Sequence, residues 1–152
     1  MAGYAGTTEE RLALSTFVKL VRAANALSAR LNRPLTEVGL TESQFGVLEA
    51  LLHLGPLHQR ELAKKILRTT GNVTLVVDHL EKRGLVRRER GSSDRRFIRV
   101  HLTETGEALV KGLFPAHAAR LAEELSVLNE DEQHELGRLC RRLNTAVEQQ
   151  TP

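Results

Sequence analysis

The chain has 152 residues, 41% of them apolar and 27% charged, with a formal net charge of +3. That length suits one domain with a sizeable core, and no apolar run approaches the roughly 18 residues that a membrane-spanning helix needs. A single cysteine, Cys140, excludes a disulfide framework and a thiolate metal cluster, and Met1 to Gly6 lacks the basic start of a secretion signal; a cytoplasmic protein is expected.

Thr7 and Glu10 stand at capping-box spacing, and Phe17, Leu20, Val21, Ala24, Leu27 and Leu31 then recur at helical period up to Pro34, which predicts a long first helix. Thr41 and Gln44 repeat the capping signal ahead of Phe45, Leu48, Leu51 and Leu52, a second helix that stops at Gly55-Pro56. His58 to Ile66 suits a short third helix. A fourth starts at Thr69 or Thr70 and closes at Gly84. Its Val73, Val76, Val77 and Leu80 share an inward side, whereas Gly71, Leu75, Asp78 and Lys82 look outward, flanked by Asn72, Thr74 and His79. The spacing of Asp78 and Lys82 predicts an i,i+4 ion pair.

From Leu85 the period changes. Leu85 to Arg90 and Arg96 to Leu102 read as two short strands joined by Gly91-Ser92-Ser93-Asp94, with Ile98, Val100 and Leu102 alternating against Phe97, Arg99 and His101. Thr103 caps a fifth helix carrying Leu109, Leu113, Leu121 and Leu125, which Pro115 is expected to bend or break. Asn129 and Glu132 open a sixth helix with Leu136, Leu139, Leu143 and Val147 in a near-heptad seam.

Charge is unevenly distributed. Between Lys82 and Arg99 eight basic residues face two acidic ones, a local charge of +6 out of a total of +3, which leaves the remainder at −3. Clustered cations of this kind are what a phosphate-backbone contact needs, because binding is driven by counterion release. Three short helices followed by a hairpin is the winged helix-turn-helix order, in which the last of the three helices enters the major groove. The expected fold is therefore mainly α, a winged helix-turn-helix with a two-stranded β-wing, flanked by long dimerisation helices. Residues 1–40 form the N-terminal dimerisation helix, 41–102 the DNA-binding domain and 103–152 the C-terminal dimerisation helices.

The candidate DNA-binding residues are Thr69, Thr70, Asn72, Thr74, Leu75, His79 and Lys82 on the fourth helix, and Arg88, Arg90, Ser92, Arg95 and Arg96 on the wing. Leu75 is placed to lie against a thymine methyl group. Arg95 and Arg96 at the tip suit a narrow minor groove, with Asp94 orienting them. The first, fifth and sixth helices have apolar stripes and no core of their own, so a second copy of the chain is expected to cover them.

Glu61-Leu62-Ala63, the run from Asp78 to Val86, the wing Asp94-Arg95-Arg96 and Leu102-Thr103-Glu104-Thr105-Gly106 together resemble the MarR family (multiple antibiotic resistance regulators). The resemblance implies a homodimeric repressor, less often an activator, that leaves a palindromic double-stranded operator when a small phenolic or anionic effector binds. It maps the family's Asp-x-Arg wing motif onto Asp94 and Arg96. The peroxide-sensing branch keeps a cysteine on the first helix and the urate-sensing branch a tryptophan; this chain has neither, so both mechanisms are disfavoured.

His117 and Arg120, just after Pro115, are the candidate effector-binding residues. Cys140 falls on an apolar stripe and reads as a packed small hydrophobe. No histidine pair stands at metal-ligand spacing, no glycine loop cradles a phosphate, and no nucleophile stands near a base, so neither metal, cofactor nor enzymatic activity is expected. The competing reading is a winged-helix protein-interaction module whose basic wing meets an acidic partner.

Overall fold

Thr7 starts the first helix by exchanging hydrogen bonds with Glu10: its hydroxyl accepts from the Glu10 N–H (3.1 Å) and its own N–H donates to the Glu10 carboxylate (2.7 Å). The computed structural model describes residues 4–66, 70–90 and 98–150, with the backbone alone at 70, 71, 90 and 146–150. In it helix α1 spans Thr8–Glu37 and passes through Pro34, the residue at which the sequence was expected to end it. Pro34 lies in the final turn, where its missing N–H costs a single helical bond. The helix closes at Gly39 (φ 69°), where the Leu40 N–H donates to the Leu35 carbonyl (2.9 Å) and the Gly39 N–H to that of Thr36 (3.0 Å).

Helix α2, Glu42–Leu54, begins at the expected Thr41–Gln44 capping box. Leu57–His58 forms a two-residue strand β1, so His58, expected to open the third helix, ends a strand and stands at the cap of that helix. Helix α3 covers Gln59–Lys65 and α4 covers Thr70–Lys82. Strands β2, Val86–Arg90, and β3, Ile98–Leu102, pair antiparallel with Arg88 opposite Val100, and β1 pairs on the other edge of β3, with Leu57 opposite Val100. The sheet thus has three strands in the order β1-β3-β2, not two. Two residues between Pro56 and a helix are too few to show a strand's period in sequence.

The described residues form two compact units, Met1–Pro115 and Ala116–Pro152. The first is built round Leu40, Phe45, Val47, Leu48, Leu62, Val73, Val77, Leu80, Val86, Val100 and Val110, all at most 2% exposed. Each such side chain contributes on the order of 1.5–3 kcal/mol by burial. Helix α5, Glu104–Leu125, runs uninterrupted through Pro115, so the expected break does not occur. The carbonyl that loses its partner belongs to exposed Lys111, where water can replace the bond. In the second unit α6, Glu130–Gln150, starts at the expected Asn129–Glu132 capping box, and Leu136, Leu139 and Leu143 remain 42%, 41% and 53% exposed. Cys140 among them is half-buried.

The join between wing and α5 explains the Leu102-Thr103-Glu104-Thr105-Gly106 run. Thr103 donates its hydroxyl to the Gly84 carbonyl (2.6 Å), accepts from the Gly106 N–H (3.0 Å), and sends its own N–H to the Leu85 carbonyl (3.1 Å). This draws α5 so close that a Cβ on Gly106 would lie 1.9 Å from the Leu85 carbonyl oxygen. Gly106→Ala is therefore expected to lower stability by about 1–3 kcal/mol in urea unfolding, through overpacking against backbone. An unchanged midpoint would mean that the approach is not a constraint.

Candidate nucleic-acid interface

Helix α4 has three faces, not the two read from its sequence. Val73, Val77 and Leu80 are buried in the core, and Val76 packs partly against it. Asn72, Leu75, His79 and Lys82 recur at helical spacing and are exposed, Leu75 at 59%. These four form the outward stripe. Between the two lies a polar face, Thr74, Asp78 and Glu81, all half-buried.

That third face meets the wing. Alternation along β2 puts Val86 and Arg88 on one side of the sheet, so the Arg88 side chain points to α4 rather than to solvent. Its guanidinium lies 2.6 Å from the Asp78 carboxylate and 2.7 Å from that of Glu81. It also donates to the Thr74 carbonyl (3.3 Å) and to Gln59 Oε1 (3.4 Å) on α3. The Arg88 N–H donates to the second Glu81 oxygen (2.9 Å), and the Gln59 amide donates to the Thr74 hydroxyl (2.5 Å). Helix-turn-helix and wing are clasped by one side chain.

The clasp bears on three readings. Asp78 pairs with Arg88 and not with Lys82, because strand pairing brings a guanidinium into a half-desolvated site where the attraction exceeds that of an exposed i,i+4 pair. Arg88, with 18% of its side chain exposed, has its donors directed at protein acceptors. Thr74 belongs to the clasped face; its hydroxyl and carbonyl are both engaged.

Two other cations of the basic run also have protein partners while remaining exposed. Arg83 donates to the carbonyls of Gly39 and Val38 at the end of α1, and Arg87 pairs with Glu89 (3.1 Å) on the outer face of β2. His101 Nε2 lies 3.1 Å from the same carboxylate without hydrogen-bond alignment. The hydrogen bond from Arg87, with His101 and Arg99 nearby, holds the Glu89 carboxyl below the usual carboxylate range. Lys82 and Arg99 are exposed as well. Among the described cations of this run, Arg88 is the one whose side chain is largely withdrawn from solvent.

Thr70 and Arg90 are placed by their backbone, at the start of α4 and the end of β2. Thr69, Ser92, Asp94, Arg95 and Arg96 lie outside the described residues. His117 is half-buried and Arg120 exposed, both on the part of α5 in the second unit. The sequence reading missed Gln59 and Glu81 altogether. Gln59 stands 15 and 29 residues from its partners, so no local pattern signals it.

In sequence and fold the chain is similar to known transcriptional regulators. The MarR family model matches residues 40–98. The chain is 35% identical to the HTH-type transcriptional regulator MhqR of Bacillus subtilis, over 93% of this chain and 97% of that one. It superposes on Sco3205, a MarR family transcriptional regulator of Streptomyces coelicolor solved in complex with DNA, with a TM-score of 0.81 and 28% identity over 94% of this chain and 90% of that one. A third likeness is to BpsR of Bordetella bronchiseptica, whose DNA binding is regulated by 6-hydroxynicotinic acid: TM-score 0.78, 27% identity, 86% of this chain and 98% of that one.

Removing the clasp has a stated cost. Arg88→Ala is expected to destabilise by about 1–3 kcal/mol in urea unfolding, below the loss for a fully buried pair, because Asp78 and Glu81 keep 40% and 39% exposure and can rehydrate. Arg88→Lys should recover less than half, since one ammonium cannot span the four acceptors. Equal stability of all three proteins would remove the clasp from the account.

Proposed function

The chain belongs to the MarR family of transcriptional regulators, DNA-binding proteins and not enzymes, and from that premise we propose that it is a homodimeric repressor of a palindromic operator, released by a small effector. The observation that carries this reading is the outward stripe of α4: Asn72, Leu75, His79 and Lys82 stand exposed on a helix whose other two faces are held by the core and by Arg88. A helix fixed in this way can present base-reading side chains to a major groove without reordering on binding. Asn72 suits an adenine edge and Leu75 a thymine methyl, while Lys82 supplies a phosphate contact. Thr69 and Thr70 are assigned to phosphates at the N-terminus of the helix. Arg90, Ser92, Arg95 and Arg96 are assigned to the wing's contact with the backbone and minor groove, with Asp94 orienting the arginines.

A second copy is the proposed cover for α1, where Leu12, Phe17 and Leu20 are 68%, 63% and 40% exposed, and for the apolar stripe of α6. Twofold pairing would set two recognition helices about one duplex turn apart. In this reading 1–40 and 103–152 form the dimer and 41–102 the DNA-binding domain. The effector is assigned to the phenolic or anionic class, with His117 and Arg120 as its polar contacts; the aromatic acid that regulates BpsR supports that class. No described helix is long and apolar enough to cross a membrane, and action on chromosomal DNA in the cytoplasm is proposed.

The test begins with selection of bound sequences from a random duplex pool by the purified full-length chain, which should yield a palindrome. Affinity should fall by about three to five decades between 50 and 200 mM salt, given on the order of six to ten phosphate contacts. Binding without sequence preference would favour an acidic protein partner instead. Arg96→Ala is expected to weaken operator binding by about 1–3 kcal/mol with the dimer intact by light scattering; unchanged affinity would exclude Arg96 from the contact. Leu75→Asn should change base preference at one position in each half-site more than it changes nonspecific affinity. An equal loss on all sequences would make Leu75 a docking residue.

A further inference from the structure

Arg83 is the last residue before the left-handed cap of α4, where the Leu85 N–H donates to the Leu80 carbonyl (2.9 Å), the Gly84 N–H to that of Glu81 (2.9 Å), and Gly84 has φ 68°. Its guanidinium does not continue the exposed stripe of Asn72, Leu75, His79 and Lys82. It turns to α1 and donates from Nη1 to the Gly39 carbonyl (2.6 Å) and from Nη2 to the Val38 carbonyl (3.4 Å).

Those carbonyls are the C-terminal cap of a 30-residue helix that has no basic residue in its own last turn. The negative end of the α1 dipole therefore takes its cation from α4. A planar guanidinium spans two successive carbonyls in one orientation, which a single ammonium cannot do. Two further links fasten α1 to the same unit. Ser28 and Asn32 donate to the two oxygens of Glu42 (3.0 and 3.3 Å) at the start of α2, and Leu35 and Leu40 are buried in the core. The link from Arg83 starts on the recognition helix, whereas Ser28 and Asn32 reach α2.

We propose that Arg83 is a positioning residue that fixes the recognition helix to the end of α1 and thereby sets the half-site spacing the dimer accepts. This rests on the reading above that α1 carries the twofold contact. A helix that joins two copies at one surface and holds α4 at its end transmits the dimer's geometry to the groove-reading stripe. Without the two bonds α4 keeps its core packing and its clasp to the wing, but its angle to α1 is less restrained.

The test uses the full-length chain and the palindrome it selects from random duplexes, together with duplexes in which the half-sites are moved one base pair closer or further apart. Affinities of wild type, Arg83→Gln and Arg83→Lys are measured by fluorescence anisotropy. Wild type should discriminate against altered spacing by about tenfold or more, and Arg83→Gln should reduce this to about threefold or less, a change within the range of coupling energies between packed elements. Arg83→Lys should lie between. Binding to nonspecific duplex, and its salt dependence, should be unchanged in all three. Equal loss on every duplex with a shallower salt slope would make Arg83 a phosphate contact and overturn the proposal, as would full retention of spacing discrimination.

A readout independent of the variants is amide exchange in the wild type, where residues 38–41 should gain protection on the palindrome and not on nonspecific duplex. No gain overturns the coupling. Failure of the wild type to select any palindrome would instead overturn the DNA-binding dimer reading, and the proposal with it.

Discussion

The guanidinium of Arg88 is the constraint on which the interface depends. It sits between a carboxylate pair on α4, a carbonyl of the same helix and an amide on α3, and it arrives there on a strand of the wing. Each bond alone is worth about 1 kcal/mol or a little more. Their joint effect is geometric, because a planar group with acceptors on three sides fixes the angles between the elements that carry them. A wing held only by its strand pairing and by Val86 and Val100 could slide along apolar surface at little cost. With Arg88 in place, α3, α4 and β2 move together.

The same clasp sorts the charges. Asp78 and Glu81 are acidic residues on a helix proposed to meet phosphate, which would be unfavourable if they faced the DNA. They lie on the wing side, neutralised by Arg88, and the outward stripe carries no acid. Basic residues are divided in the same way. Arg88 is turned to the protein, Arg83 and Arg87 have protein partners at the surface, and Lys82 and Arg99 are exposed. Charge density in a sequence therefore overstates that of a surface where an arginine sits on the inner face of a strand, as Arg88 does.

Much of the fold was legible before any coordinates. The three capping boxes at Thr7, Thr41 and Asn129 are local patterns, and each forms the bonds its spacing implies. The apolar face of α4 was legible too, because a 3.6-residue period survives in any window of that length. Errors arose where a local signal is weak or where its context removes its effect. Pro34 and Pro115 are strong helix breakers on paper, yet one lies in a final turn and the other beside an exposed carbonyl, so each costs little. Strand β1 has two residues and no period to read.

The sequence by itself determined the family, the order of the six helices and two wing strands, and the existence of an outward stripe on α4, since all of these follow from short-range spacing of caps, apolar residues and turn residues. Tertiary structure decided which polar residues are available. Thr74 and Arg88 have types and positions that suit DNA, and only the folding of β2 against α4, with α3 beside them, directs both to protein partners. Asp78 prefers a guanidinium ten residues away to the lysine one turn along its own helix, because the former is brought into a half-desolvated site and the latter stays in water. The distinction is physical: a periodic pattern fixes the face on which a side chain emerges, and the neighbouring elements fix what it meets there.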